Sequence, residues 1–128
     1  MMKKLSSEQN KRVLLTLKQI VVAIDQLTDW NKNIKSSNEY LTSSEGAKLL
    51  AASCMLIEGI GEGVKRINQL TEGEIFKLRP EIPWERVSGM RNHIAHGYFE
   101  IHEEVIFDTI KTELQPLKVA TEFIINQL

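Results

Sequence analysis

The chain has a single cysteine, Cys54, among its 128 residues. One thiol cannot build a disulfide framework, so the expected home is a reducing cytoplasm. Cys54 sits in an apolar stretch and reads as a packed core thiol. No apolar run approaches the roughly 20 residues needed to span a bilayer. The start, Met1-Met2-Lys3-Lys4, is basic, but an amphipathic segment follows instead of a continuous hydrophobic region, so no signal peptide is expected. A basic excess is also missing. The formal net charge is −1 and the pI about 6.3, which excludes a global field for nucleic acid. Any RNA binding must come from a local patch. Sustained period-two alternation is absent too, as is any internal repeat, which argues against a sheet and a solenoid.

What is present suits one globular domain over residues 1–128, with 42% hydrophobic and 26% charged residues. Charge is uneven along it. Residues 1–18 carry Lys3, Lys4, Lys11, Arg12 and Lys18 against Glu8, whereas residues 99–128 are dominated by Glu100, Glu103, Glu104, Asp108, Glu113 and Glu122. Such asymmetry suits an oligomer or partner complex, and solvated helix faces explain it equally well.

Val13, Leu14, Leu17, Ile20, Val21, Ile24 and Leu27 recur at the three-four spacing of a helix with one buried stripe. With Ser6 or Ser7 as N-cap, this helix runs from about 7 to 30. Asn31 to Thr42 is polar and reads as a loop with at most one irregular turn. A second helix opens at Ser43 or Ser44, with a stripe of Ala47, Leu50, Ala51, Cys54, Ile57, Gly61, Val64 and Ile67. Gly59, Gly61 and Gly63 interrupt that pattern. They lack the preceding strand and the spacing of a phosphate loop, so close helix–helix contact is the better reading.

Thr71-x-x-Glu74 resembles a capping box and predicts a short helix over about 72–79, ended by Arg79-Pro80. Pro83 suits the start of a further helix, Trp84 to about His96, with Gly97 expected to terminate it at positive φ. A last helical segment begins near His102, carries Val105, Ile106, Ile110, Leu114, Leu117, Ala120, Ile124 and Leu128, and should be kinked or split by Pro116 near Glu113 to Gln115. The expected architecture is an all-α, up-and-down bundle of four to five helices.

The chemistry gathers near the end of the Trp84–His96 helix. Asn92 and His96 are four apart and share a face, Arg91 lies beside them, and Tyr98 stands just past Gly97. Arginine presents a permanently charged fork to phosphate oxygens. Histidine exchanges a proton near neutral pH. Asparagine can orient the imidazole or bind a substrate oxygen. On composition alone a dipole-favoured histidine and a solvated arginine explain the same residues.

Arg91-x-x-x-x-His96-x-Tyr98 resembles the R-x4-H-x-Y signature of the HepT-like branch of the HEPN superfamily. Ile82-Pro83-Trp84 leading to Gly89-Met90-Arg91-Asn92 looks like that family's approach to its motif. Leu56 to Gly63 resembles its "IGEA" helix, with Gly63 where alanine is more usual. Phe107-Asp108-Thr109-Ile110 and Leu114-Gln115-Pro116-Leu117 resemble its closing helix. The likeness covers about residues 10 to 120. It implies a metal-independent endoribonuclease toxin, without cofactor, acting on RNA as a homodimer whose cleft lies between protomers. It also implies a minimal nucleotidyltransferase antitoxin that adenylylates the motif tyrosine, here Tyr98. The family's catalytic residues map to Arg91 and His96, with Asn92 as the polar residue after the arginine. A dimer suits the chemistry, because one chain has one motif histidine and a two-fold axis supplies a second.

Glu62 can pair with Arg91 and aim it, or serve in a surface salt bridge. For Tyr98 the competing role is to plug the helix end. His93-x-x-His96 has metal-ligand spacing but no third ligand fixed by helical register, and His102 is no better placed, so no metal is expected. Trp30 and Trp84 are expected to pack, with stacking on RNA bases as the lesser reading. The competing functional class is a non-catalytic helical module that binds a partner nucleotidyltransferase or a nucleotide.

Overall fold

The computed structural model describes residues 5–128. Lys3 and Lys4, part of the basic N-terminal run, lie outside the described residues. Among the described residues there is no strand, and no helix is long and apolar enough to cross a membrane. The bundle consists of α1 (Ser7–Trp30), α2 (Ser44–Thr71), α3 (Trp84–His96), α4 (Glu103–Asp108) and α5 (Leu114–Asn126).

Helix α1 begins in a reciprocal cap. The Gln9 amide donates to Ser6 Oγ (3.1 Å) and the Ser6 amide to Gln9 Oε1 (3.0 Å). Its buried stripe is Val13, Leu17, Ile20, Ile24 and Leu27, as the periodicity requires. Helix α2 starts at Ser43, whose hydroxyl accepts from the Gly46 amide (2.9 Å), and runs antiparallel to α1. Thr16 packs against Gly63, while Asn31, at the far end of α1, bonds to Ser53 near the start of α2.

The stripe expected on α2 needs correction at its N-terminal end. Ala47 and Ala51 are exposed, and Gly46 and Ser53 are buried instead, while Cys54 is buried as expected. A β-carbon on Gly46 would lie 2.1 Å from the Glu39 carbonyl oxygen. The connection from 31 to 43 therefore presses on the helix at that residue. It contains one 3₁₀ turn, Ser37–Tyr40.

That connection hides a polar core. Tyr40 donates its hydroxyl to Asn31 Oδ1 (2.6 Å), and Asn31 Nδ2 donates to Leu27 O (2.9 Å) and Ser53 Oγ (3.0 Å). From the other end of the chain, Lys111 donates its ammonium to the Asn31 carbonyl (2.8 Å). Asn31 is wholly buried and Tyr40 nearly so. Burial is tolerated because each polar atom is partnered.

The capping box read at Thr71 does not form. The Thr71 hydroxyl donates one turn back to Ile67 O (2.9 Å), so α2 continues through Thr71. It ends on Glu72 and Gly73, both at positive φ (53° and 77°). Only a 3₁₀ turn, Ile75–Leu78, follows. Trp84 packs as expected, stacked on Phe76 with ring centroids 4.1 Å apart, its indole N–H donated to Arg79 O (2.9 Å). Trp30, in the last turn of α1, is only partly covered, at 42% exposed, and is not part of the core. Val105 and Leu128 are likewise more exposed than their stripe implies.

The C-terminal segment is split where Pro116 required. Between α4 and α5 lies a π-helical turn, Thr109–Glu113. Buried Ile106, Ile110 and Leu114 are spaced by fours, and each such step overshoots an α-helical turn by about 40°. The wider π-turn absorbs that drift and keeps all three against the core.

Candidate active site

Helix α3 lies along α2 at Gly61. A β-carbon there would be 3.0 Å from both Arg91 Cβ and the Val87 carbonyl oxygen. Gly63 serves the same purpose toward α1, at 3.1 Å from Thr16 Cγ2. Close contact is therefore what Gly61 and Gly63 provide, two of the three alternating glycines. Gly59 meets nothing within 4 Å.

This approach brings Arg91 to Glu62. Arg91 Nε lies 2.6 Å from Glu62 Oε2, and Nη1 donates to Asn92 Oδ1 (2.8 Å). With two of its nitrogens held, the plane of the guanidinium is set. Both side chains of the ion pair remain partly solvent-accessible, at 34% and 42%.

His96 is exposed, one turn beyond Asn92. Its Nδ1 lies 2.9 Å from the Asn92 carbonyl oxygen. A carbonyl only accepts, so Nδ1 carries a proton and the neutral ring keeps its lone pair on Nε2. Asn92 therefore orients the imidazole through its backbone, while its side chain serves Arg91.

The helix stops at Gly97, but not at positive φ. Gly97 has φ −165°, an extended conformation, and its carbonyl accepts from Glu100 (2.9 Å) to form the 3₁₀ turn Tyr98–Glu100. Tyr98 is 38% exposed, and partial burial, with a smaller contribution from Cys54, holds its phenol above the usual tyrosine range. Its hydroxyl has no hydrogen-bond partner among the described residues. Phe99, which the sequence did not single out, is fully exposed and edge-on to Tyr98 with centroids 5.7 Å apart. Its neighbour in the motif was the only available signal.

One helix end thus presents a pinned guanidinium, an imidazole of defined tautomer and a partly exposed phenol. His93 and His102 are exposed, and no group of three or more His, Cys, Asp or Glu is placed to hold a metal among the described residues. A separate apolar cavity of about 250 Å³ lies between α2, α3 and the π-turn. It is lined by Ile57, Ile60, Val87, Met90 and Leu117, and none of the motif residues reaches it.

The "Ribonuclease HepT-like" family model matches residues 17–124, which include every element of this site. The chain belongs to the HepT-like ribonuclease family. It is similar to the candidate RNase MJ1216 of Methanocaldococcus jannaschii, with 29% identity over 109 residues covering 85% of this chain and 84% of the relative. It is also similar to the "Probable ribonuclease HepT" of Thermococcus cleftensis, with 29% identity over 102 residues covering 80% and 86%. No solved structure gives a significant match.

Proposed function

We propose that this chain is a metal-independent endoribonuclease toxin that cuts RNA where two copies of α3 meet, and that adenylylation of Tyr98 by a minimal nucleotidyltransferase partner silences it. The observation that carries the reading is the His96–Asn92 carbonyl bond beside the pinned Arg91, within a family of ribonucleases. It leaves Nε2 of the neutral imidazole free to act as a base.

In this mechanism Nε2 of one His96 takes the proton of a 2′-hydroxyl. The oxygen attacks the adjacent phosphorus, and the bond to the 5′-oxygen breaks. A protonated His96 from the second copy returns a proton to that oxygen. The products are a 2′,3′-cyclic phosphate and a 5′-hydroxyl. Arg91 offsets the charge that builds on the non-bridging oxygens, which is the largest contribution expected of a fixed cation at such a site.

The dimer is supported by the face that α3 leaves open. Gly89 lies one turn before Asn92 and His93, and a β-carbon there would meet nothing within 4 Å. With no side chain in the way, a second helix can approach His96 closely. Adding AMP to Tyr98 places a phosphodiester charge and an adenosine beside Arg91 and His96, obstructing RNA by sterics and repulsion.

The test is cleavage of single-stranded RNA in EDTA by wild type, His96→Ala and Arg91→Ala. Both variants should keep wild-type helicity and lose cleavage, and a 2′-deoxy residue at the scissile position should stop the wild type. Undiminished cleavage by either variant defeats the assignment. Intact mass after incubation with the partner transferase and ATP should show added AMP, and its persistence in Tyr98→Phe would remove Tyr98 from the scheme.

A further inference from the structure

A nuclease of net charge −1 must hold its polyanionic substrate with cations that are not already neutralised. The chain has five arginines. Arg79, Arg86 and Arg91 are paired with Glu81, Glu113 and Glu62. Arg12 and Arg66 have no carboxylate partner among the described residues, and both are exposed.

These two arginines stand at the same end of one furrow. Because α1 and α2 are antiparallel and Thr16 packs against Gly63, Arg12 lies one turn before that contact on α1 and Arg66 one turn after it on α2. Between the helices runs a furrow of about 290 Å³, lined by Thr16, Gln19, Gly59, Glu62, Gly63 and Arg66 among others. Its wall at Glu62 is the residue that holds Arg91, so furrow and candidate active site share one side chain. Arg66 follows Glu62 by one helical turn, about 6 Å of rise.

Gly59 is the second observation. A glycine inside a helix costs about 1 kcal/mol relative to alanine. Gly61 and Gly63 repay that by admitting neighbouring helices, but nothing among the described residues comes within 4 Å of a β-carbon at Gly59. Its missing side chain keeps the furrow open and brings helix backbone within reach of a ligand lying in it.

Resting on the ribonuclease reading above, we propose that the α1–α2 furrow is the track for the RNA strand beyond the scissile bond, with Arg12 and Arg66 gripping its phosphates. The cations supply affinity that does not depend on base sequence. Gln19 adds an amide able to bond sugar or phosphate oxygens. The site should therefore favour long single strands over the shortest cleavable unit.

The experiment compares kcat/KM on an oligoribonucleotide with that on a dinucleotide, for wild type, Arg12→Gln/Arg66→Gln, Gly59→Leu and Lys48→Gln. Lys48 is a cation elsewhere on α2, already paired with Glu45. The arginine variant should lower the long-to-short ratio by roughly tenfold or more, and Lys48→Gln should leave it unchanged. Binding of an uncleavable 2′-O-methyl strand is then measured against salt. Losing two phosphate contacts should flatten the log–log slope by about 1.4. Gly59→Leu should weaken binding and keep the slope, since it blocks without changing charge.

A ratio and slope unaltered by the arginine changes overturn the furrow assignment while leaving the nuclease reading intact. Loss of transferase binding with RNA binding untouched assigns the furrow to a protein and overturns it too. A wild type that binds the strand through these arginines but cleaves neither substrate upholds the furrow and refutes the nuclease. A wild type that does neither overturns both.

Discussion

Replacing Gly61 by alanine should push α3 off α2, and the structure sets the size of the effect. The added methyl would sit 3.0 Å from Arg91 Cβ, 3.0 Å from the Val87 carbonyl oxygen and 3.1 Å from the Arg91 amide nitrogen. Two of these three are backbone atoms, which cannot swing aside as a flexible side chain can. Overpacking of this kind costs about 1–3 kcal/mol, against a helix-propensity gain of about 1 kcal/mol. Gly61→Ala should therefore be destabilised by about 0–2 kcal/mol. Gly59→Ala is the internal control, since its methyl meets nothing and should stabilise by up to about 1 kcal/mol. For a chain of this length the gap between the two alanine variants should appear as roughly 3–12 °C in Tm. Thermal unfolding followed by circular dichroism measures it. RNA cleavage by Gly61→Ala should also fall, because the displaced backbone carries Arg91. If Gly61→Ala melts with or above Gly59→Ala, the close packing described for α2 and α3 is wrong.

Glu62→Gln should cost less than about 1 kcal/mol of stability, since the ion pair is partly exposed. Cleavage should drop roughly 10- to 100-fold as Arg91 loses its fixed orientation, and steady-state kinetics showing full kcat would remove Glu62 from the site. Tyr40→Phe withdraws the hydroxyl from buried Asn31 Oδ1 and should cost about 1–3 kcal/mol, read as a lower urea midpoint; an unshifted midpoint refutes this. Burial pushes the Tyr40 phenol up to about 12. Between its ordinary value near 10 and that point the unfolded chain ionises first, so stability should fall as pH rises through this window. Tyr40→Phe should flatten that fall, and an unchanged pH slope would refute the linkage. Cys54 is buried, which raises its thiol to about 11. Labelling by a disulfide reagent at pH 8 should be slow in the native protein and fast in denaturant, and fast native labelling would contradict the packing.

The α1 stripe, the Trp84–His96 helix and the grouping of Arg91, Asn92 and His96 were legible because each follows from spacing along one helix. What spacing could not show was competition between partners at helix ends. Thr71 had two uses for its hydroxyl, a cap for the next segment or a bond to Ile67, and only packing decides between them. Gly97 was expected to turn left-handed, but the 3₁₀ turn at Tyr98 stops the helix from an extended backbone. Asn31 and Tyr40 lay in a stretch read as polar loop. They are buried because Ser53, Leu27 and Lys111, remote in sequence or contributed as backbone, complete their bonds. At the site, the Glu62–Arg91 pair was one of two open readings. That Asn92 would act on His96 through its main chain could not be foreseen from side-chain type.

The π-turn at Thr109–Glu113 also bears on which changes of chain length this protein can accept. Removing one residue there and replacing Pro116 would restore an unbroken α-helix. Because seven α-helical steps come to about 700°, the segment upstream would keep its facing relative to α5 to within about 20°. Ile106 would stay against the core, provided that Lys111, which bonds the Asn31 carbonyl, is not the residue removed. Loss of one residue from the π-turn should therefore pass with little effect, whereas a residue added in the regular α-helix that follows would turn Ile106 by about 100° out of the interior.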